Sequence, residues 1–376
     1  MKKNALFIAK NLHWGGAELS LLHLIKWLKN LGVHSSLIAG SEGEQRTAFE
    51  EVCEQVIVVP LPYRRKPLTW FKIQKFLSTV EALTTAVGAP SVVLANDFYE
   101  TWACHLATKH TRCAHAGAIW QSSYNFTADR DVLKWFQQGA NRMQILMASG
   151  AVASHMNAQL GDLSRVHTIN PYIDDARFDP ALYDRDQLRR QLGWEDRHVG
   201  IVVGALSKND GKGQLALTKA FLNTLDSEQT FPERLLCLVG PFDADSSAEI
   251  RRLVSGKESL VQILGPRPDV PEIFAASDIA LFPGRIPESF GLAILEARLM
   301  EKPILALENH GAVRLHEGTP GFDLCVSVDQ IISIWQNAVE SSARIKKLGG
   351  REIVVTQYGQ EAFKERLSGT FSFLFR

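Results

Sequence analysis

The sequence lacks the cysteine patterns of a disulfide-bonded or zinc-binding protein. Its five cysteines are an odd number and include no Cys-x-x-Cys pair. Reduced, mostly buried thiols are therefore expected, as in proteins of the cytosol. Cys113 and His115 stand close together, but two ligands without a second pair make a weak metal site. No metal site is predicted from them.

Long apolar runs and an excess of one sign of charge are missing too. No window approaches the ~20 apolar residues needed to cross a bilayer, and the run from Ala5 to Ala9 is too short for a secretory signal. The 41 basic and 41 acidic residues cancel, so no nucleic-acid partner is predicted. A location in the cytoplasm is expected.

Short apolar runs alternate with amphipathic helical segments along the chain. This order is typical of parallel sheets covered by helices on both faces. A chain of 376 residues is too long for one ordinary core. The polar, Asp-rich residues 174–190 separate two halves, each of which has a strand, a glycine-rich turn and a helix near its start. Two doubly wound domains are therefore predicted, with the carboxyl ends of their strands around one cleft.

The most informative segment contains two glutamates, Glu288 and Glu296, with seven residues between them. Glu288 lies in a loop after an apolar strand, whereas Glu296 lies within an apolar helix, where a carboxylate is costly to bury unless a polar group meets it. Phe290 and Gly291 open this helix, and a helix N-terminus offers N–H groups and partial positive charge to a phosphate. The carboxylates can accept hydrogen bonds from sugar hydroxyls. The segment predicts a site for a phosphorylated, hydroxyl-rich ligand.

A second candidate for phosphate binding is the turn at residues 204–214, after the first strand of the second half. Its glycines let the backbone approach a phosphate closely, and Lys208 and Lys212 supply positive charge. A tight strand-to-helix turn needs glycine even without a ligand, but the glutamate pair in the same half favours phosphate binding. The turn at Gly15 and Gly16 has the same two interpretations.

In this order, the motifs resemble those of the group 1 (family four) retaining glycosyltransferases. The matching segments are the loop at residues 15–18, a hinge-like segment at 170–180, a loop and strand at 264–279, the glutamate pair, and the Pro-Ile-Leu-Ala strand at 303–306. The resemblance implies the α/β fold named GT-B, in which two Rossmann-like, doubly wound domains face each other across a cleft and a C-terminal helix returns to the N-terminal domain. The expected limits are 1–183 for the acceptor-side domain, 184–355 for the nucleotide-sugar-binding domain and 356–376 for the returning helix.

The resemblance also implies an activity of the hexosyltransferase type. A sugar would move from a nucleotide-sugar donor to a hydroxyl, with retention of anomeric configuration and without a metal ion or other cofactor. The acceptor would be a glycan, a lipid-linked compound or a small molecule, in the synthesis of cell-surface polysaccharide or glycolipid. A sugar-nucleotide hydrolase or epimerase of the same fold and a non-catalytic nucleotide-sugar-binding protein are the alternatives. Three Asp-x-Asp pairs, which begin at Asp129, Asp184 and Asp243, are attributed to chance.

Site residues follow from matching this sequence to the family's motifs. Catalytic roles are implied for Glu288, Lys212 and Gln121, which stands where the family usually has a histidine; Ala205 replaces a common arginine. The residues expected to bind the donor are Gly15, Gly16, Lys208, Lys212, Arg267, Glu288, Ser289, Phe290, Gly291, Leu292 and Glu296. The residues expected on the acceptor side are His13, Trp14, Asn96 and Tyr124.

Residues 63–77 form a basic, amphipathic stretch that begins Tyr63-Arg64-Arg65-Lys66. Such a stretch can lie on an anionic bilayer surface, which predicts peripheral contact with the inner face of a membrane. The alternative is an ordinary surface helix, with Trp70, Ile73, Leu77 and Val80 facing the core.

Overall fold

Two compact units make up the computed structural model: residues 1–172 with 361–376, and residues 173–360. The structure describes residues 3–62, 69–97, 100–113, 115–120, 143–147, 166–206, 210–224, 233–286, 290–309, 313, 316, 318–337 and 350–372. No helix in these ranges is long and apolar enough to cross a membrane.

The first unit is built on a seven-stranded parallel sheet with the order β3-β2-β1-β4-β5-β6-β7. Its strands are β1 (Lys3–Ala9), β2 (Val33–Ala39), β3 (Gln55–Val58), β4 (Val92–Ala95), β5 (His115–Trp120), β6 (Met143–Met147) and β7 (Val166–Thr168). Its helices are α1 (Gly16–Asn30), α2 (Arg46–Val52), α3 (Thr69–Val87) and α4 (Thr101–Thr111), together with the last helix of the chain.

The second unit has a six-stranded parallel sheet with the order β10-β9-β8-β11-β12-β13. Its strands are β8 (His198–Val203), β9 (Arg234–Val239), β10 (Val261–Gly265), β11 (Ile279–Phe282), β12 (Ile304–Leu307) and β13 (Phe322–Cys325). Its helices are α5 (Arg185–Leu192), α6 (Gln214–Asn223), α7 (Ala244–Val254), α8 (Val270–Ala276), α9 (Leu292–Leu299), α10 (Val328–Asn337) and α11 (Gly350–Tyr358). The last helix, α12 (Gln360–Ser372), follows directly.

Each sheet is covered on both faces, because successive residues of a strand point to opposite sides. In β1, Leu6 and Ile8 belong to one apolar cluster, whereas Phe7 belongs to another. In β8, Ile201 and Val202 divide in the same way. The predicted α/β fold of two Rossmann-like domains with parallel sheets is confirmed.

The limits of the units are set by packing at two places. Tyr172 packs against Phe363 in the first unit, whereas Ile173 and Phe178 join the core of the second. The first unit therefore ends at residue 172, before the limit of 183 expected from the sequence. Near the C-terminus, the chain forms two helices rather than one: α11 packs on the second unit through Val354, and α12 returns to the first unit through Phe363.

A polar cluster stabilises the second unit at the amino-terminal edge of its sheet. Asp278, just before β11, accepts hydrogen bonds from Arg185 (2.5 Å), Arg189 (3.1 Å) and the backbone N–H of Val199 (2.7 Å). Burial acts to raise the pKa of Asp278, but the Val199 amide and the neighbouring positive charges outweigh it, so the pKa is lowered. The carboxylate thus joins α5 to the first and fourth strands of the unit in chain order, β8 and β11.

Replacing Asp278 with asparagine is expected to lower the free energy of unfolding of the second unit by roughly 3 kcal/mol at neutral pH, because Arg189 stays buried without its anionic partner. A carboxyl whose folded pKa is lowered contributes stability above its unfolded pKa of about 3.9 and loses it as pH falls through the folded value. The difference from the wild type should therefore shrink below about pH 4. Urea unfolding followed by tryptophan fluorescence measures this, with Asp196→Asn at an exposed position as control; equal midpoints for Asp278→Asn and wild type would contradict it.

Candidate functional site

The candidate site of the second unit lies where its strand order reverses, between β8 and β11. Successive connections leave this point in opposite directions, which opens a crevice at the carboxyl ends of the two strands. The loop at 204–213 follows β8, and the loop at 283–291 follows β11. These loops carry most of the donor-binding residues predicted from the sequence.

The two loops are hydrogen-bonded to each other through their backbones. The carbonyl oxygen of Gly211 accepts from the N–H groups of Arg285 (3.1 Å) and Ile286 (3.3 Å). Gly213 has a φ of +75°, and a Cβ atom there would lie 2.1 Å from the carbonyl oxygen of Pro283. Only glycine permits this conformation and this approach without strain. Lys212 is therefore held at the junction of the two loops.

The carboxylate of Asp210 caps the N-terminus of α6, where an anionic ligand could otherwise bind. This residue adopts a left-handed backbone with φ of +45°. Its two carboxylate oxygens accept from the N–H groups of Leu215 (3.0 Å) and Ala216 (2.9 Å). These are the donors that a helix offers to an anion. An anionic ligand is therefore better placed at Lys212 or at α9 than at the start of α6.

Among the described residues, no carboxylate caps the start of α9 in this way. Its N-cap residue, Gly291, has a φ of +78° and no side chain with which to cap the helix, and the first turn contains no acidic residue. Phe290 is buried with its ring edge-on to Tyr358, at 5.3 Å between centroids, which fixes the position of the helix start. The first N–H groups of α9 are therefore suited to an anion.

Glu296 is a carboxyl whose charge the described residues compensate only in part. Burial raises its pKa to about 7, and the charge of Arg177 opposes this shift only in part. Its helical neighbours Leu295 and Ala297 are buried and apolar. Within the described part of the chain no hydrogen bond reaches the carboxyl. Hydroxyl donors of a ligand would supply what is missing.

Arg267, which the sequence placed among the donor-binding residues, forms a two-point ion pair in the loop after β10. Its Nε lies 2.7 Å from Oδ1 of Asp269, and its Nη2 contacts Oδ2. The guanidinium of Arg267 lowers the pKa of Asp269. Arg177 donates to the carbonyl of Pro268 in the same loop. The positive charge of Arg177 also acts on the carboxyl of Glu296. Arg177 therefore links this loop to α9.

The residues predicted at the N-terminal loop lie where the strand order of the first unit reverses, between β1 and β4. Gly15 is the N-cap of α1, which begins at Gly16. Asn96 follows β4, is buried, and approaches the carbonyl of Ala17 at 3.5 Å. His13 lies 3.0 Å from a carboxylate oxygen of Glu44, and Trp14 is half-exposed. The structure thus groups these residues at the carboxyl edge of one sheet.

The sequence reasoning missed several polar groups at these edges. Burial, and after it the charge of Asp97, raises the pKa of Glu100 to about 8. Neither carboxyl oxygen of Glu100 has a hydrogen bond from the described residues. Arg177 and Asp210 were missed as well. An acidic residue at the start of the helix that follows a buried strand, or directly before Gly-Lys-Gly, is the signal that could have found Glu100 and Asp210.

Other predicted residues lie outside the described ranges: Gln121, Tyr124, Lys208, Glu288 and Ser289. Of the Asp-x-Asp pairs, Asp184 caps α5 and Asp243 caps α7 through a backbone N–H, while the pair at Asp129 is not described. In the described ranges, no group of three or more histidine, cysteine or acidic side chains is placed to hold a metal ion.

Comparison with known proteins matches both halves of the chain to glycosyltransferase families. Residues 14–177 match the family model described as Glycosyltransferase Family 4, and residues 197–340 match the model described as Glycosyl transferases group 1. The D-inositol 3-phosphate glycosyltransferase of Salinispora arenicola is 28% identical over 189 residues. This alignment covers 45% of the chain and 42% of that relative, so the chain matches less than half of the relative's length.

Solved structures resemble the whole chain in fold. The crystal structure of Anabaena HepE in complex with UDP-glucose has a TM-score of 0.80 at 22% identity, covering 98% of this chain and 99% of that one. A glycosyltransferase from Rickettsia africae has a TM-score of 0.75 at 17% identity, with both chains covered in full. The fold is GT-B, as predicted.

Replacing Glu296 with glutamine is expected to stabilise the second unit more at about pH 8 than at about pH 5. A carboxyl whose folded pKa is raised contributes stability below its unfolded pKa of about 4.3 and loses it as pH rises through the folded value; for Glu296 that value is about 7. Glutamine carries no charge to desolvate and escapes the loss. Urea unfolding at both pH values measures this, with Glu195→Gln at an exposed position as control. A gain of the same size at both pH values would contradict the prediction.

Proposed function

We propose that this chain, which combines a Glycosyltransferase Family 4 domain and a Glycosyl transferases group 1 domain in a GT-B fold, transfers a sugar from a nucleotide-sugar donor to an acceptor hydroxyl. The observation that carries the proposal is the junction of loops at the reversal point of the second unit. There Lys212 is held by backbone contacts, α9 presents an uncapped start, and Glu296 has no hydrogen-bond partner among the described residues. HepE, which has a similar fold, binds UDP-glucose.

The donor would be held by groups of opposite character. Lys212 and the first N–H groups of α9 would bind the diphosphate and stabilise the charge that grows on it as the sugar departs. Glu296 would accept hydrogen bonds from the ribose hydroxyls, and Glu288 would orient the donor sugar. This division matches anion-binding groups to phosphate and carboxylates to hydroxyls.

The proposed reaction retains the configuration of the sugar. Among the described residues of the site no side chain is an evident covalent nucleophile, so attack on the same face, with the leaving phosphate taking the acceptor's proton, is the mechanism that requires least of the protein. Positioning would then supply most of the rate. We propose that neither a metal ion nor another cofactor takes part. The acceptor would be a glycan, a lipid-linked compound or a small molecule.

Replacing Lys212 or Glu288 with alanine is expected to lower turnover by more than ~10-fold, while the thermal unfolding midpoint stays close to that of the wild type. The donor is first identified by thermal shift with UDP-, GDP-, ADP- and CMP-sugars, since a bound ligand raises stability by mass action. Turnover is then followed as release of the nucleoside diphosphate. Lys219→Ala, on the exposed side of α6, is the matched control.

The same experiment separates the alternatives. Donor turnover that never requires an acceptor indicates a hydrolase or epimerase, and donor binding without any turnover indicates a binding protein. Wild-type rates in both Lys212→Ala and Glu288→Ala would contradict the assigned roles.

We also propose that the first unit touches an anionic membrane surface at the start of α3. Trp70 and Phe71 are 63% and 65% exposed and pack edge-on at 5.2 Å between ring centroids. Of the residues that an ordinary surface helix was expected to turn to the core, Val80 is buried there and Leu77 packs against it, whereas Trp70 is exposed. Lys72 and Lys75 follow on the same helix, and the preceding Arg64, Arg65 and Lys66 add charge in the sequence. Aromatic rings beside basic residues are suited to an anionic lipid interface.

Replacing Trp70 and Phe71 together with serine is expected to abolish most sedimentation with vesicles of phosphatidylcholine and phosphatidylglycerol, because the apolar contact is lost. Leu182→Ser removes a side chain of equal exposure, 64%, from the second unit and is the control. Binding that is equally strong to pure phosphatidylcholine, or unchanged in the double variant, would contradict membrane contact at this surface.

A further inference from the structure

Asn309 connects a third loop to the junction at the reversal point of the second unit. It follows β12 and is only 6% exposed. Its amide nitrogen donates to the carbonyl oxygens of Gly284 (3.0 Å) and Ile286 (3.3 Å). Because both partners are acceptors, only the nitrogen of the amide can bind them, and it has two hydrogens to give. Asn309 thus holds one short segment, 284–286, at both ends.

The same segment is held from its other side by the Lys212 loop. The N–H groups of Arg285 and Ile286 donate to the carbonyl oxygen of Gly211. The segment 284–286 is therefore bound through its N–H groups by the Lys212 loop and through its carbonyl groups by Asn309. A Cβ atom on Gly284 would lie 3.4 Å from the carbonyl oxygen of Gly211 and 3.6 Å from the Cα of Lys212. The loops after β8, β11 and β12 therefore meet at this segment, which leads directly to Glu288 and the start of α9.

The location argues that Asn309 does more than stabilise the core. The segment that it binds is at the surface, where Ile286 is 49% exposed, and it lies at the carboxyl edge of the sheet. The polar cluster of Asp278 lies at the opposite edge, in the part of the sheet that ligands do not use. A buried amide that holds a surface loop from below fixes the geometry of what the loop carries.

We propose that Asn309 is a positioning residue of the donor site. Through the carbonyls of Gly284 and Ile286 it sets the distance between Lys212, on one loop, and the segment leading to Glu288 and α9, on the other. The proposal rests on the proposed function, since it assumes that a diphosphate is bound between these groups. Loss of the amide would leave the nucleotide bound but the departing phosphate misplaced, and small misplacements lower rates steeply.

The test compares Asn309→Ala with Asn309→Asp, using UDP and UDP-glucose as probes. The aspartate keeps the shape of the side chain but turns a carboxylate oxygen toward two carbonyls. Both variants are expected to lower kcat for release of UDP from UDP-glucose by roughly 10- to 100-fold, with the dissociation constant for UDP changed about 3-fold at most. If Asn309 only fills space, Asn309→Asp would match the wild type while Asn309→Ala would not, and the proposal would be overturned.

A readout that does not depend on activity is amide hydrogen exchange. The N–H groups of Arg285 and Ile286 should exchange faster in both variants, because their loop is no longer held. Gln336→Ala removes another largely buried amide, which donates at 2.7 Å to Thr224, at the end of α6 away from Lys212. This control should leave exchange at 285–286 and turnover unchanged. Unchanged exchange in the Asn309 variants would contradict the positioning role, whether or not the wild type turns over UDP-glucose. Absence of UDP-glucose turnover by the wild type would count against this donor instead.

Discussion

Both units depend on a single constraint of parallel sheets: the connections must run along one face until the strand order reverses, and then along the other. The reversal occurs between β1 and β4 in the first unit and between β8 and β11 in the second. At each of these points the connections leave for opposite faces of the sheet, which opens a crevice at the carboxyl ends of the strands. The glycine loops, the start of α9 and the buried acids all collect there. Their location follows from the winding of the sheet rather than from any one side chain.

The two edges of the second sheet differ in how far the charge of a carboxylate is compensated. At the amino-terminal edge, Asp278 is matched by two arginines and a backbone amide, and its pKa is lowered. At the carboxyl edge, Glu296 is desolvated with little opposing charge, and its pKa is raised to about 7. The first arrangement stabilises the fold, whereas the second costs stability. The proposed ligand would complete this acid, and a loss of stability in exchange for binding is common at functional sites.

Much of this could be predicted from the sequence because it depends on local patterns. Alternating apolar runs predicted the two parallel sheets. The glycines on either side of Lys212, together with Gly291, marked the loops that meet at the reversal point. The limits of the units were misplaced, because residues 173–183 belong to the second unit only through contacts such as that of Phe178 with its core. Asn309 could not be assigned either. Its role is a pair of hydrogen bonds to a loop that is distant in sequence, and no period or motif encodes them.

The return of α12 makes the second unit an insertion within the first. Phe363 and Leu367 lie in the same apolar cluster as Leu24 and Phe7, although more than 300 residues separate them along the chain. During synthesis from the N-terminus, the ribosome completes residues 173–360 before it makes these two side chains. The inserted unit can therefore acquire its core while the enclosing one still exposes apolar surface under α12. Chaperone contact on the nascent protein should concentrate on that uncovered face, around Leu24 and Ile25, and end when the last helix docks.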